Sequence, residues 1–415
     1  MWAILQRRGL RYVFLANVIS MLGSGMNAAA VAWHILQTTH SEVSLGYLTL
    51  AQTLPAMLML PFTGVIIDRE DRRRLVMWLD AGRALVILAV SILALQGRTQ
   101  LWQLYVMVML VSAGFWMFWP AVTALIQELT PNDEYVQANT FLLAGVQGGW
   151  LIAGAIVGFT YEHIGLGGVL LIDVSTYVLS FLCYFAVRKG HHAVPRPEEL
   201  KHDLEAAESA AVRFVREMKD GVDFVRQHPR VALLGSSWAL FLGAMLTGYV
   251  VTPSLSDHVL HAGAKGYGWL NMGWGVGAFL SALYAPQIIK KLGPRGAIAV
   301  SMGALALGSL VSPYMRWVTA AVAAYGLMGS ARGVSGIAMN TGLMEQVPKH
   351  LMGRVQNIFN LFGSGLQVVL GLTVGNVAHR VGLAQAFAIL AAVYLVALVS
   401  ACWPAAGLVP KAADQ

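Results

Sequence analysis

Between Gly64 and Leu75 the chain reads GVIIDREDRRRL, with three acidic and four basic side chains in the seven positions from Asp68 to Arg74. Carboxylates and guanidiniums at that density can make and break ion pairs, which is the chemistry of a latch. Gly64 removes a side chain where two helices can approach closely. Asp68, at a helix boundary, can accept hydrogen bonds from the N-terminal donors of a facing helix. Arg72 and Arg73 can pair with Asp68, Asp80 or Glu128. Two readings of the cluster are open, a gate and a plain topology signal. Topology needs Arg69, Arg72 and Arg73, but it does not need Gly64 or Asp68. Asp80 and Arg83 stand three residues apart, a spacing that lets them form an ion pair on one helical face and support the same cluster.

Catalytic and cofactor chemistry is not written in the chain. There is no Gly-x-x-x-x-Gly-Lys-Ser/Thr loop to cradle a phosphate and no nucleophile elbow. Cys183 and Cys402 have no metal-ligand spacing. No enzyme activity, cofactor or metal is therefore expected.

The elements that must position these residues are apolar. Of 415 residues, 57% are hydrophobic and only 12% charged, about half the charged share of a soluble domain, which is about 25%; the mean hydropathy is +0.62. Lipid is the expected solvent. A bilayer core takes about 20 helical residues to cross. Runs of that kind fall near 11–36, 43–67, 75–96, 101–127, 136–162, 167–187, 231–256, 267–289, 295–313, 317–343, 354–378 and 384–404. The first is too long for the apolar core of a signal peptide and reads as a span that stays.

If the N-terminus is cytoplasmic, 22 of the 28 Lys and Arg residues fall on the cytoplasmic side and four on the other. The positive-inside rule then puts both termini inside. The same asymmetry accounts for the net charge of +7 without nucleic acid. Segment 188–230 is the one long polar stretch. Within it Val212, Val215, Met218, Val222 and Val225 recur at helical spacing. That helix either lies on the membrane surface or the ends of the spans, or merely tethers the halves. The expected organisation is an all-α integral membrane protein: a six-helix bundle over 1–187, the linker 188–230, a second six-helix bundle over 231–405 and a cytoplasmic tail over 406–415.

The halves echo each other. ALIQELTPNDEYVQAN and GLMEQVPKHLMGRVQN both contain Glu-x-x-Pro, at Glu128 and Glu345, and VIIDREDRRR corresponds to QIIKKLGPRG. Glu128 and Glu345 read as paired members of the two bundle ends, or as plain helix-end carboxylates. A repeated six-span unit is a transporter layout with a site near the midplane.

These features resemble the major facilitator superfamily. Gly64, Asp68, Arg69, Arg72 and Arg73 match its signature Gly-x-x-x-Asp-Arg-x-x-Arg-Arg. LTPNDEYVQAN, MKDGVDFVRQHPRV and VPKHLMGRVQN are similar to its siderophore (enterobactin-type) and macrolide exporter branch. The resemblance implies a monomeric secondary transporter of the inner membrane. It would export a small amphipathic molecule by alternating access, with proton exchange as the drive. A lipid or lysolipid flippase, and a sensor or assembly partner that moves nothing, are the alternatives. The resemblance also implies that Asp68 faces the start of span 11, near Gly353 and Arg354.

Family geometry sets spans 1, 4, 7 and 10 around a cavity. Arg332 lies 15 residues into span 10, about 22 Å along a helix, where a charge is costly unless it meets protein or water. It is expected to face the cavity and bind an anionic or carbonyl-rich group, with a structural pair to Glu345 as the alternative. Trp116 and Trp119 are expected in the cavity, or else facing lipid or in packing, and Asn27, Asn271 and Asn340 turned away from lipid. Span 5 lacks the proline of the antiporter pattern, and span 1 holds no acid. Asp173, placed near the outer boundary of span 6, and His34 are the remaining candidates for proton sites, each with a structural alternative.

Overall fold

A computed structural model describes residues 8–130, 134–187, 203–348 and 351–403 of the chain; several side chains within these helices, including those of Gly64, Asp68 and Arg69, lie outside the described residues. So do positions 188–202 of the linker and the 406–415 tail.

Eleven α-helices follow one another among the described residues: α1 Arg8–Thr39, α2 Glu42–Arg69, α3 Arg72–Leu95, α4 Leu101–Leu129, α5 Tyr135–Ala186, α6 Asp203–Gln227, α7 Pro229–Ser254, α8 Gly263–Val311, α9 Val318–Gln346, α10 Met352–Arg380 and α11 Leu383–Cys402. α5 and α8 are too long to cross a membrane once. Each turns at a glycine with positive φ, Gly165 (φ 62°) and Gly293 (φ 70°), a conformation that a side chain resists. Pro294 then starts the second arm of α8. With two arms each for α5 and α8, and with α6 set apart, the helices make twelve passes. Eight segments are long and apolar enough to span a membrane by length and composition.

α1 to α5 pack on one another, and α7 to α11 pack on one another, giving two helical bundles. The second half has one continuous apolar core. The first has two, stacked along its helices, one of which continues across the seam to Val250, Ala264 and Tyr267 of the second half. Large apolar side chains such as Leu85, Leu283 and Leu327 point outward, while Asp80, Arg83 and Asp173 are buried. This is the arrangement lipid demands, since polar groups there need partners inside the protein.

The face carrying the α2–α3 turn is basic. Asp71 caps α3, accepting from the Arg74 backbone N–H at 3.1 Å. Amphipathic α6 lies on this face against both α2 and α10, and so touches both halves. On the opposite face two seams join the halves directly. α2 meets α10, where a Cβ on Gly46 would lie 2.8 Å from the Gly371 carbonyl oxygen. The first arms of α5 and α8 meet where a Cβ on Gly158 would lie 2.7 Å from Gly268 Cα. Backbone cannot give way there as a side chain can. Gly158→Leu should therefore pry this seam open. In a background with Cys183 and Cys402 replaced by serine, thiol labelling of Asn271→Cys should speed up when Gly158→Leu is added. An unchanged labelling rate would show that the seam does not gate access.

Candidate functional site

A cavity of about 650 Å³ lies between the halves. Its first-half wall is mildly polar, with Ser24 and Asn27 of α1, Gln52 of α2 and Ser112 of α4. Its second-half wall is aromatic around one cation, with Tyr249 of α7, Trp274 of α8, Tyr325 and Arg332 of α9, and Tyr394 of α11. Toward the basic face the lining continues to Asn357, only five residues, or about 7.5 Å, into α10. Toward the opposite face the two glycine seams close it. They are reinforced by a Glu162–Lys265 pair at 3.0 Å and by Glu42, which lies 3.4 Å from His258 and 3.5 Å from His379. Trp33 stacks on Tyr267 across the same boundary, centroids 5.9 Å apart.

Arg332 is the fifteenth of the 29 residues of α9. Its Nε donates to Met245 Sδ at 3.0 Å, a weak acceptor. Tyr249 and Tyr394 are near enough to act on its charge. No carboxylate pairs with it among the described residues, Glu345 included. Asn27 and Asn271 line the cavity, and so does Trp116, 42% exposed. Trp119 and Asn340 do not. Trp119 packs against the core of the first half, one turn further along α4 toward the basic face than Trp116. Asn340 accepts from Gln356 Nε2 at 2.9 Å and ties α9 to α10.

Behind the first-half wall lies a buried charge cluster. Asn27 donates to Asp173 at 2.9 Å, and Thr176 bonds the Asp173 carbonyl at 2.7 Å. Arg83 bonds Asp80, whose other oxygen accepts from Ser180 at 2.6 Å. The Arg83 guanidinium sits 4.3 Å from the centroid of the Phe118 ring and 4.5 Å from that of Tyr177. Tyr177 reaches Ser24, back at the cavity wall, at 2.9 Å. Two placements expected from the sequence are corrected here. Asp80 and Arg83 do not join the surface cluster at the α2–α3 turn; they are buried between α3 and α5, where each satisfies the other's charge. Asp173 is not near the bundle's rim but eight residues past the Gly165 turn, facing α1. His34 bonds the Tyr161 hydroxyl at 2.8 Å, away from this cluster.

The arginines of the turn act within the first half. Arg72 pairs with Glu128 at 2.6 Å and also donates to the Ala124 carbonyl. Among the described residues Arg73 takes no carboxylate; it donates to the carbonyls of Tyr184 and Phe185, 2.8 and 2.6 Å away, at the end of α5. Arg354 pairs with Asp220 of α6 at 3.1 Å, so α6 packs at the start of α10. Gly353 has nothing within 4 Å of a Cβ position. Gly64, Asp68 and Arg69 have side chains outside the described residues.

The sequence reading missed Glu42, His258 and His379. Glu42 was visible as a lone acid at the start of an apolar run, but its histidine partners are more than 200 residues away. It also missed the tyrosines that surround Arg332, since aromatic residues in a span look alike whether they face lipid or a cavity.

The family model of the Major Facilitator Superfamily matches residues 13–372. The chain is 22% identical over 241 residues to macrolide efflux protein A of Streptococcus pyogenes, covering 58% of this chain and 55% of that protein. It is 25% identical over 375 residues to the enterobactin exporter EntS of Escherichia coli O1:K1 / APEC, covering 87% of this chain and 83% of that one. Among solved structures, the nucleoside transporter NupG (D323A mutant) superposes with a TM-score of 0.75 over 94% of this chain and 98% of that chain, at 13% identity. At that identity the likeness concerns the fold alone.

Proposed function

The chain belongs to the Major Facilitator Superfamily, and on that premise we propose that it exports a small amphipathic molecule from the cytoplasm across the inner membrane. The substrate carries an anionic or carbonyl-rich group on an aromatic or apolar body. The observation that carries this reading is Arg332, a cation at mid-span without a carboxylate partner among the described residues, set in an aromatic cavity wall. A charge at that depth is expensive, and a ligand that accepts its hydrogen bonds offsets the cost. Efflux proteins among the relatives support export over uptake.

The basic face is the cytoplasmic one, with both termini inside. The halves, residues 1–187 and 231–405, rock against each other about the cavity, and the 188–230 segment tethers them. The closed seams at the opposite face and the lining that runs toward Asn357 support an inward-facing state. In the outward-facing state the Gly64–Arg73 turn closes on the start of α10. The cycle runs on proton exchange, and Asp173 carries the proton, because it is buried yet linked to the cavity wall through Asn27.

The test is a binding screen on the purified protein followed by transport in proteoliposomes. A carboxylate- or carbonyl-bearing amphiphile should bind saturably and be moved against its gradient when a pH gradient is imposed. If the substrates that bind and move all lack such a group, the role given to Arg332 is wrong. Asp173→Asn should still equilibrate substrate downhill but lose the accumulation driven by the pH gradient. If that variant accumulates substrate like the parent, the proton site lies elsewhere.

A further inference from the structure

The two halves treat the same helix ends differently. In the first half the turn arginines are consumed: Arg72 by Glu128, and Arg73 by the carbonyls that end α5. In the aligned stretch of the second half, QIIKKLGPRG against VIIDREDRRR, Arg295 stands where the first half has Arg73. Glu345 stands where the first half has Glu128, and α11 ends where α5 ends. Yet no such pair closes there among the described residues. Arg295, Glu345, Arg230 of α7, and Ala401 and Trp403 at the end of α11 line a pocket of about 350 Å³. Among the described residues no ion pair links Arg230, Arg295 or Glu345 to any partner.

We propose that this pocket binds the headgroup of an acidic phospholipid, of the phosphatidylglycerol class, on the basic face of the second half. The phosphodiester takes the two arginines, which suit phosphate better than a point charge would. Two arginines and one glutamate leave a charge of +1, which one phosphodiester neutralises. The glycerol hydroxyls of such a headgroup donate to Glu345.

The walls argue for a lipid over a free anion. Leu233, Leu234 and Ile298 form the apolar side of the pocket. Leu292, 52% exposed, and Trp403, 59% exposed, mark its rim toward the bilayer. Tryptophan favours that depth, and basic pockets between spans on this side of a membrane suit anionic headgroups. Two helices, α7 and the second arm of α8, also begin at the pocket. α7 has no side-chain cap on its first turn, so its free N–H groups add to the positive field. The bound lipid does for the second half what the Arg72–Glu128 pair does for the first. This site is separate from the central cavity and stands whether or not the transport reading does.

The test uses the full-length protein, purified and delipidated, with phosphatidylglycerol, phosphatidylethanolamine or phosphatidylcholine supplied in mixed micelles. Inorganic phosphate in detergent alone is the fourth arm. Thermal unfolding and native mass spectrometry read the binding. Phosphatidylglycerol should raise the unfolding midpoint saturably and stay bound, whereas the other two lipids and phosphate should do little. Arg230→Ala with Arg295→Ala should weaken phosphatidylglycerol binding about 25-fold. Arg230→Lys with Arg295→Lys should retain most of it, which separates loss of charge from loss of fold. Arg74→Ala, removing an exposed arginine of the same face in the first half, should change nothing.

The proposal is overturned if the double alanine variant holds phosphatidylglycerol like the parent, or if Arg74→Ala weakens binding as much. It is overturned equally if phosphate alone reproduces the shift, which would mark a free-anion site. Equal stabilisation by all three lipids would mark a nonspecific annular contact and also overturn it.

Discussion

Arg83→Leu is expected to cost the first half about 3–5 kcal/mol, the usual penalty for stripping one partner from a buried ion pair. Arg83 is 2% exposed and Asp80 fully buried. The variant leaves Asp80 with only the Ser180 hydroxyl, and Asp173 close by with no cation to offset it. It also removes the guanidinium packed over Phe118 and Tyr177, a contact worth about 2 kcal/mol when desolvated. The protein should lose most of its folded yield, and what remains should melt at a markedly lower temperature in detergent.

A second variant separates charge from packing. Arg83→Leu with Asp80→Asn removes the stranded carboxylate, and replacing both members of a buried pair is often nearly neutral. The double variant should therefore recover a large part of the loss. If it is no better than Arg83→Leu, the guanidinium matters for its shape and ring contacts rather than its charge. If Arg83→Leu melts like the parent, the cluster is not a structural keystone of this half.

Arg332→Ala should weaken binding of the transported molecule about thirtyfold, since a hydrogen bond to a charged group contributes about 2 kcal/mol. It should cost little stability, because the residue makes no ion pair among the described residues and its hydrogen bond to Met245 is weak. The variant should fold, reach the membrane and fail to export. Arg332→Lys keeps the charge but not the planar fork, so it should fall between parent and alanine. A substrate analogue with its anionic or carbonyl group removed should bind parent and Arg332→Ala equally. Equal loss of both ligands in Arg332→Ala would mean that the residue holds the cavity's shape and does not read the substrate. Unchanged export would remove it from the site altogether.

The comparison between α4 and α9 shows what a single chain conveys. Arg332 was legible because a charge deep in an apolar run has few explanations, and its depth follows from counting residues at 1.5 Å each. Trp116 and Trp119 were not separable, since an aromatic residue satisfies lipid, core and cavity alike; only the packing of α4 sends one to the cavity and the other inward. Asp80 with Arg83 was legible as a pair, because three residues place them on one helical face. Its burial was not, because that depends on α5 lying across α3. The Tyr184 and Phe185 carbonyls that Arg73 reaches were not legible, for a related reason. The uncapped carbonyls at the end of a helix are acceptors that no residue type announces.

Hydropathy, run length and the uneven placement of arginine are properties of each segment by itself. From them alone the chain determined its twelve apolar passes, its two-fold repeat and its basic face. Contacts are properties of pairs, and here they join residues far apart in sequence: Asn27 with Asp173, Glu42 with His258 and His379, Arg354 with Asp220. Only the tertiary structure decided these, and with them the closed opposite face, the aromatic surroundings of Arg332 and the open pocket beside Arg295. The physical reason is that in lipid the burial of apolar surface does not choose between neighbouring helices. Close backbone approach at glycines and the satisfaction of buried polar groups make that choice.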